Sequence, residues 1–208
     1  MQIMKRICTT QERMSQISKS GYAVFMDRDG TLNVDVDYMT RVEDFYFAAG
    51  AKDGLVRLFK HGSPLIVVSN QSGVGRGMLS TDDLEKITDH FIVSIENLGA
   101  SVDAFYYCIH HPGDDCDCRK PRTGMFMEAV RDFNVELSRS FMIGDRKKDI
   151  VSASNCGMRK SFLIRNQGNY LNRGQPDCDF NPREYPECSI VHSLDEAVSG
   201  IEDLLGVY

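Results

Sequence analysis

Short apolar runs that stop abruptly at charge or glycine recur along the chain, each followed by a longer stretch with helical spacing. Tyr22 to Met26 is the first such run, Leu65 to Val68 the second and Ala104 to Cys108 the third, with Ser140 to Ile143 and Ser161 to Ile164 after them. Each is short, β-branched or aromatic in part, and reads as a buried strand. Between them, Ala51 to His61 places Leu55, Val56, Leu58 and Phe59 among charges and closes at Gly62, the pattern of an amphipathic helix. Ser80 caps a helix running to about Leu98, before Gly99, and Thr123 to Phe133 and Arg146 to Asn155 read as further helices. Strand and helix therefore alternate, which predicts an α/β fold with a mainly parallel sheet covered by helices on both faces. Cys188 to Val191 reads as an edge strand and Leu194 to Leu205 as a last amphipathic helix. Residues 32 to 50 form a long polar, aromatic-rich connection expected to act as a flap, and Arg165 to Glu187 a long loop.

Composition narrows the class. The 208 residues are 42% hydrophobic, enough for one sizeable core, and no apolar stretch approaches the length that crosses a bilayer. Residues 1–20 carry Lys5, Arg6, Arg13 and Lys19 without a continuous apolar core, so they read as a helical or mobile extension rather than a secretory signal. They precede a single domain, 21–208. The charge of −6, with no basic block, argues against a nucleic-acid partner. Seven cysteines, an odd number, point to a reducing cytoplasm rather than a disulfide framework.

Candidate chemistry gathers where the runs end. Asp27 and Asp29 follow the first strand in Asp27-Arg28-Asp29-Gly30-Thr31, so two acids project into the crevice where open α/β sheets bind ligands. One carboxylate can attack phosphorus while the other moves protons, provided a divalent cation offsets the repulsion between anions. Ser69 and Asn70 end the second strand in the same crevice, followed by Gln71 and Ser72, all suited to phosphate oxygens. Asp145 follows the fourth strand as a third acid, able to join Asp27 and a backbone carbonyl around Mg²⁺. Asp149, four residues on, is expected to orient a base or water. Lys120 supplies positive charge for a transition state, and Arg119 a fork for an oxygen pair. Arg76 and Arg146 are further cations for a doubly anionic substrate, whereas Asp35 and Asp37 on the flap could receive an amine or a hydroxyl.

Just before Arg119 lies Cys108-x-His110-x5-Cys116-x-Cys118. Three thiolates and an imidazole at this spacing fit a closed, structural Zn²⁺ site, with His111 the alternative to His110. Such a site would staple the loop carrying Arg119 and Lys120. Cys8, Cys156, Cys178 and Cys188 read as core or loop thiols.

These four segments, in this order, resemble the haloacid dehalogenase-like phosphatases over residues 21 to 165. The resemblance implies a Rossmann-like three-layer α/β/α domain without a large cap. It also implies that Asp27 becomes an aspartyl-phosphate, Asp29 is the acid and base, Ser69 binds and Lys120 stabilises the phosphoryl group, and Asp27, Asp29 and Asp145 are the Mg²⁺ residues. The zinc loop joined to Arg119-Lys120-Pro121 is similar to the branch whose members act on heptose 1,7-bisphosphate or histidinol phosphate. Asn33-Val34-Asp35 with Tyr38, Ser69 to Gly73 and Tyr106-Tyr107-Cys108 resemble the heptose type more. The short loop between His110 and Cys116 is instead that of the histidinol-phosphate type. Asp35, Tyr38, Asn70, Gln71, Ser72, Arg119 and Arg146 are the implied substrate contacts. The expectation is a monomeric cytoplasmic sugar-phosphate phosphatase, with histidinol phosphate as the second substrate and a silent phosphate-binding scaffold as the alternative of another class.

Overall fold

The computed structural model describes residues 3–17, 19–171, 177 and 180–207. Its centre is a seven-stranded sheet of β1 (Met4–Ile7), β2 (Val24–Met26), β3 (Leu65–Asn70), β4 (Ala104–Cys108), β5 (Phe141–Gly144), β6 (Lys160–Ile164) and β7 (Cys188–Val191). The spatial order is β1-β4-β3-β2-β5-β6-β7, with every pair parallel except β1 against β4. The order reverses at β2, so a crevice opens beyond the C-terminal ends of β2, β3 and β5, where open sheets bind ligands.

Alternation along the strands fills two layers. Val24 and Met26 face one way, with Val67, Phe105 and Ile143, into a core completed by α2 (Ala51–Lys60), α4 (Thr81–Glu96) and α7 (Leu194–Leu205). Phe25 faces the other way, with Ile66, Val68, Tyr106 and Met142, against α1 (Gln11–Ile17) and α5 (Gly124–Phe133). The period of two in a pleated strand makes this division unavoidable once both faces are covered. The predicted helix over 51–61, the capped helix after Ser80 and the last helix all form; Ser80 and Asp83 make a reciprocal capping box.

The first twenty residues depart from the expected helical or mobile extension. Met4 to Ile7 pair antiparallel with β4, and among the described residues of this segment only α1 is helical. Arg13 locks this segment down with a two-pronged ion pair, Nε at 2.6 Å and Nη2 at 2.9 Å from the Asp103 carboxylate, which is fully buried and also accepts the Leu65 amide. Lys5 ties the strand to Glu128 and Asp132 on α5. Cys178 lies outside the described residues.

Candidate active site

β2 ends at Asp27, whose amide continues the sheet by donating to Ile143 O at 2.9 Å. Its Oδ1 accepts from the Arg28 amide at 2.8 Å and lies 3.0 Å from the Lys120 ammonium. Burial works against the charge of Asp27, but Lys120, Lys148 and the Arg28 amide prevail and hold the carboxyl below the usual carboxylate range. Gly30 sits at φ +80°, and a Cβ there would collide with the Asp145 carboxylate, so glycine is required on both counts.

Asp29 points elsewhere. Arg28, itself buried, grips it with Nε at 3.1 Å and Nη2 at 3.0 Å, Gln71 donates to Oδ2 at 2.7 Å and Asn33 to Oδ1 at 2.9 Å. Gln71 also donates to Ser69 Oγ at 3.1 Å and accepts from Arg28, so one amide ties the end of β3 to the Asp29 side chain. The Asp29 carboxylate is therefore outside the acidic cluster, and a metal contact from this residue would have to use its main-chain carbonyl.

The acids that do converge are Asp27, Asp145 and Asp149, all buried and with ligand atoms within 4.8 Å of one another. Lys120 answers two of them, at 3.0 Å from Asp27 and 2.6 Å from Asp149 Oδ1, and donates to Val68 O at 2.7 Å. Asp149 thus anchors the lysine rather than a base or water, and its Oδ2 accepts from the Arg146 amide at the start of α6 (Lys147–Asn155). Burial together with the Asp27 and Asp149 charges pushes Asp145 up to about 8, although Arg146 at 3.2 Å pulls it down. Three buried carboxyls within 4.8 Å of one another, crowded enough to drive Asp145 toward its neutral form, are a donor set whose repulsion a hard divalent cation would relieve.

A cavity of about 190 Å³ opens over this cluster, lined by Asp27, Asp29, Asp35, Tyr38, Ser69, Asn70, Gln71, Ser72, Arg119, Arg146 and Lys148 among others. Of the substrate contacts expected from the sequence, all but Arg76 are therefore on its wall, and several, Gln71, Asn70, Asp35 and Arg146 among them, already have partners. Asn70 donates to Lys120 O at 3.1 Å and accepts from Lys120 N at 3.0 Å, so its amide aligns the lysine's backbone. Arg146 pairs with Asp35 at 2.9 Å and with Asp145. Arg119 by contrast holds Nη1 buried with no partner among the described residues. Arg76 is exposed and off the wall, a correction to the expectation that it meets the substrate: α3 (Ser72–Gly75) ends just before it and turns it outward.

Sequence reasoning missed Arg28, Lys148 and Tyr170. Tyr170, far down the chain, donates to Asp145 Oδ2 at 2.8 Å, and its neighbour Asn169 donates to Gly30 O at 3.1 Å. Asp35 pairs with Tyr170 through the main chain, so the loop after β6 joins the flap to the acidic cluster. Nothing in the local spacing of these residues announces such pairings.

The second cluster lies at the end of β4. Cys108 Sγ is 3.7 Å from Cys116 Sγ and 3.5 Å from His110 Nδ1, and Cys118 Sγ is 3.2 Å from the same nitrogen. Two sulfurs about 2.3 Å from a tetrahedral ion lie roughly 3.8 Å apart, so the spacing suits a four-coordinate metal. Hydrogen bonding from Cys118 draws Cys108 down to about 5, and the same interaction raises Cys118, so the pair shares one proton. His111 turns away, accepting from the Gly113 amide at 3.1 Å, which leaves His110 as the imidazole of the group.

An acidic cluster at the switch point of a mainly parallel sheet, with a buried lysine beside its first carboxylate, defines a HAD-like phosphatase, a phosphoric monoester hydrolase. The HAD-hydrolase-like family model matches residues 117–173. The chain is 39% identical over 150 residues, 69% of its length and 82% of the relative's, to a D-glycero-beta-D-manno-heptose-1,7-bisphosphate 7-phosphatase of Haemophilus ducreyi. It is 36% identical over 156 residues, 72% and 82% of the two chains, to the Escherichia coli protein of that name. The crystal structure of a D,D-heptose 1,7-bisphosphate phosphatase from B. bronchiseptica, complexed with magnesium and phosphate, superposes with a TM-score of 0.74 at 26% identity, covering 88% of this chain and 99% of that one. The chain belongs to the heptose-bisphosphate phosphatase family of HAD-like hydrolases. No helix among the described residues is long and apolar enough to cross a membrane.

Proposed function

We propose that this chain removes the 7-phosphate of D-glycero-D-manno-heptose 1,7-bisphosphate, with Asp27 as the nucleophile. The observation that carries the reading is a buried Asp27, kept ionised by Lys120, on a cavity that Arg119, Arg146 and Lys148 also line. Asp27 Oδ1 is held by the Arg28 amide and Lys120, which leaves Oδ2 to attack phosphorus and form an aspartyl-phosphate. Arg28, Gln71 and Asn33 all donate to Asp29, whose side chain is 26% exposed in this position, so protonating the leaving oxygen requires its carboxyl to turn from Arg28 toward the cavity. The same group then takes a proton from the water that attacks the intermediate. Ser69 Oγ, oriented by Gln71, donates to the phosphoryl oxygens. Asp27, Asp145 and the carbonyl of Asp29 would hold Mg²⁺, which lowers the repulsion between nucleophile and substrate.

Cys108, His110, Cys116 and Cys118 would hold Zn²⁺ and fix the loop that delivers Arg119 and Lys120. The unpartnered Nη1 of Arg119 suits the distal phosphate, and Asp35 and Tyr38 the sugar hydroxyls. A thiolate metal cluster supports a reducing, cytoplasmic setting. The test is a comparison of kcat/KM for heptose 1,7-bisphosphate and histidinol phosphate. The expected ratio is at least about tenfold in favour of the sugar, and the reverse order overturns the assignment.

A further inference from the structure

The loop that carries Lys120 leaves the sheet and returns to it beside one residue, Asn70. Cys108, the last residue of β4, lies opposite Asn70 in the parallel ladder, and its carbonyl accepts from the Gln71 amide at 2.8 Å. At the far end of the loop the Asn70 side chain donates to Lys120 O at 3.1 Å and accepts from Lys120 N at 3.0 Å. Lys120 belongs to no helix or strand, and among the described residues Asn70 is the only partner of its main-chain N–H and carbonyl. A carboxamide offers a donor and an acceptor side by side, so one Asn satisfies both groups; a carboxylate lacks the donor and an alkyl group lacks both. The lysine held in this way is buried and meets Asp27 at 3.0 Å and Asp149 at 2.6 Å. Ser69 precedes Asn70 on β3, so the hydroxyl and the ammonium beside the nucleophile are both referred to one strand, the first directly and the second through the carboxamide.

We propose that the Asn70 side chain is a positioning residue for Lys120, acting on phosphoryl transfer through the lysine and only as a carboxamide. Without it the Lys120 peptide loses both partners, the main chain at that point is free to shift, and the ammonium shifts with it. A displacement of about 1 Å between reacting groups is enough to cost on the order of a hundredfold in rate. Because the effect passes through Lys120, it has the same size whichever phosphate ester occupies the cavity, and it vanishes when Lys120 is absent. The inference rests on Lys120 serving transfer to Asp27 and is independent of which sugar carries the phosphate.

The experiment is a double-mutant cycle on the full metal-loaded chain, with Asn70→Leu, Lys120→Met and the two combined, each assayed on heptose 1,7-bisphosphate and on p-nitrophenyl phosphate. Asn70→Leu should lower kcat/KM at least about tenfold, by factors that agree within about threefold between the two esters. In the Lys120→Met background the same substitution should cost no more than about threefold further, because the group it positions is gone. Hydrogen exchange should show the Lys120 amide losing its protection in Asn70→Leu while the amides of β3 keep theirs. An unchanged kcat/KM overturns the proposal. So does a loss confined to heptose bisphosphate, which would make Asn70 a sugar contact, or a loss that multiplies in full with that of Lys120→Met, which would make it an independent one. Where a variant does not fold, Asn70→Ala, which leaves room for a water between the freed peptide groups, or Lys120→Gln, which keeps a donor for the carboxylates, takes its place in the cycle. A parent that turns over p-nitrophenyl phosphate but not heptose bisphosphate would sink the substrate reading and leave the cycle standing, whereas Lys120→Met working at the parent rate would sink the reading of the site and this proposal with it.

Discussion

The Cys108 to Cys118 cluster is gathered from eleven consecutive residues, whereas the acidic cluster draws Asp27, Lys120, Asp145 and Asp149 from separate segments across the sheet. The first offers four donor atoms that could hold a metal and has no cation of its own among the described residues. The second carries its own cation in Lys120 and is further held by Arg146 and Tyr170. Burial also differs, because Cys116 is only partly covered while the three aspartates and Lys120 are buried. A local cluster can thus come apart without unfolding the sheet, while damage to the acidic cluster reaches the strand ends.

The largest effect should come from Asp27→Asn, which keeps the side chain's shape and removes its attacking charge. Activity should fall by at least about a thousandfold with the melting temperature nearly intact, and full turnover would end the covalent mechanism. Next comes Lys120→Met. It leaves buried Asp27 and Asp149 without their cation, so denaturant unfolding should show a loss of about 3–5 kcal/mol in addition to lost activity. A melting curve like that of the parent would mean the two carboxylates do not depend on the lysine.

Cys116→Ser tests the other side of the comparison. Metal analysis should show the zinc gone or weakly held, with the sheet still cooperative and activity reduced through a loosened Arg119 and Lys120. Retention of both zinc and activity would remove the stapling role. The smallest expected change is Tyr170→Phe, which deletes one hydrogen bond to Asp145 and should raise Mg²⁺ half-saturation by about fivefold or less, roughly 1 kcal/mol, with kcat at saturating Mg²⁺ preserved. A drop in kcat that added Mg²⁺ cannot restore would contradict this positioning role.

What could be read from the chain follows the same division. Asp27, Ser69 and Asp145 were legible because each terminates an apolar run, and parallel strands bring such ends together whatever their separation. The gathering of Cys108, His110, Cys116 and Cys118 was legible from spacing alone. Arg28, Tyr170 and the anchoring role of Asp149 were not, since their partners lie in other segments and no local period marks them. Lys148 was hidden within Arg146-Lys147-Lys148, an ordinary run of charges until the first turn of α6 aims one of them at the cavity. The N-terminal strand was missed because Met4-Lys5-Arg6-Ile7 lacks an apolar run. It is an edge strand held by pairing and by ion pairs from Lys5, with Arg13 of α1 securing the segment behind it, which a propensity argument does not weigh.

Phosphorus NMR of heptose 1,7-bisphosphate during turnover tests the central claim most directly, because both phosphates are seen at once. The 7-phosphate signal should be replaced by that of free phosphate while the 1-phosphate persists, and Asp27→Asn should leave both signals unchanged. Loss of the 1-phosphate first, or turnover by the Asp27→Asn protein, would contradict the account.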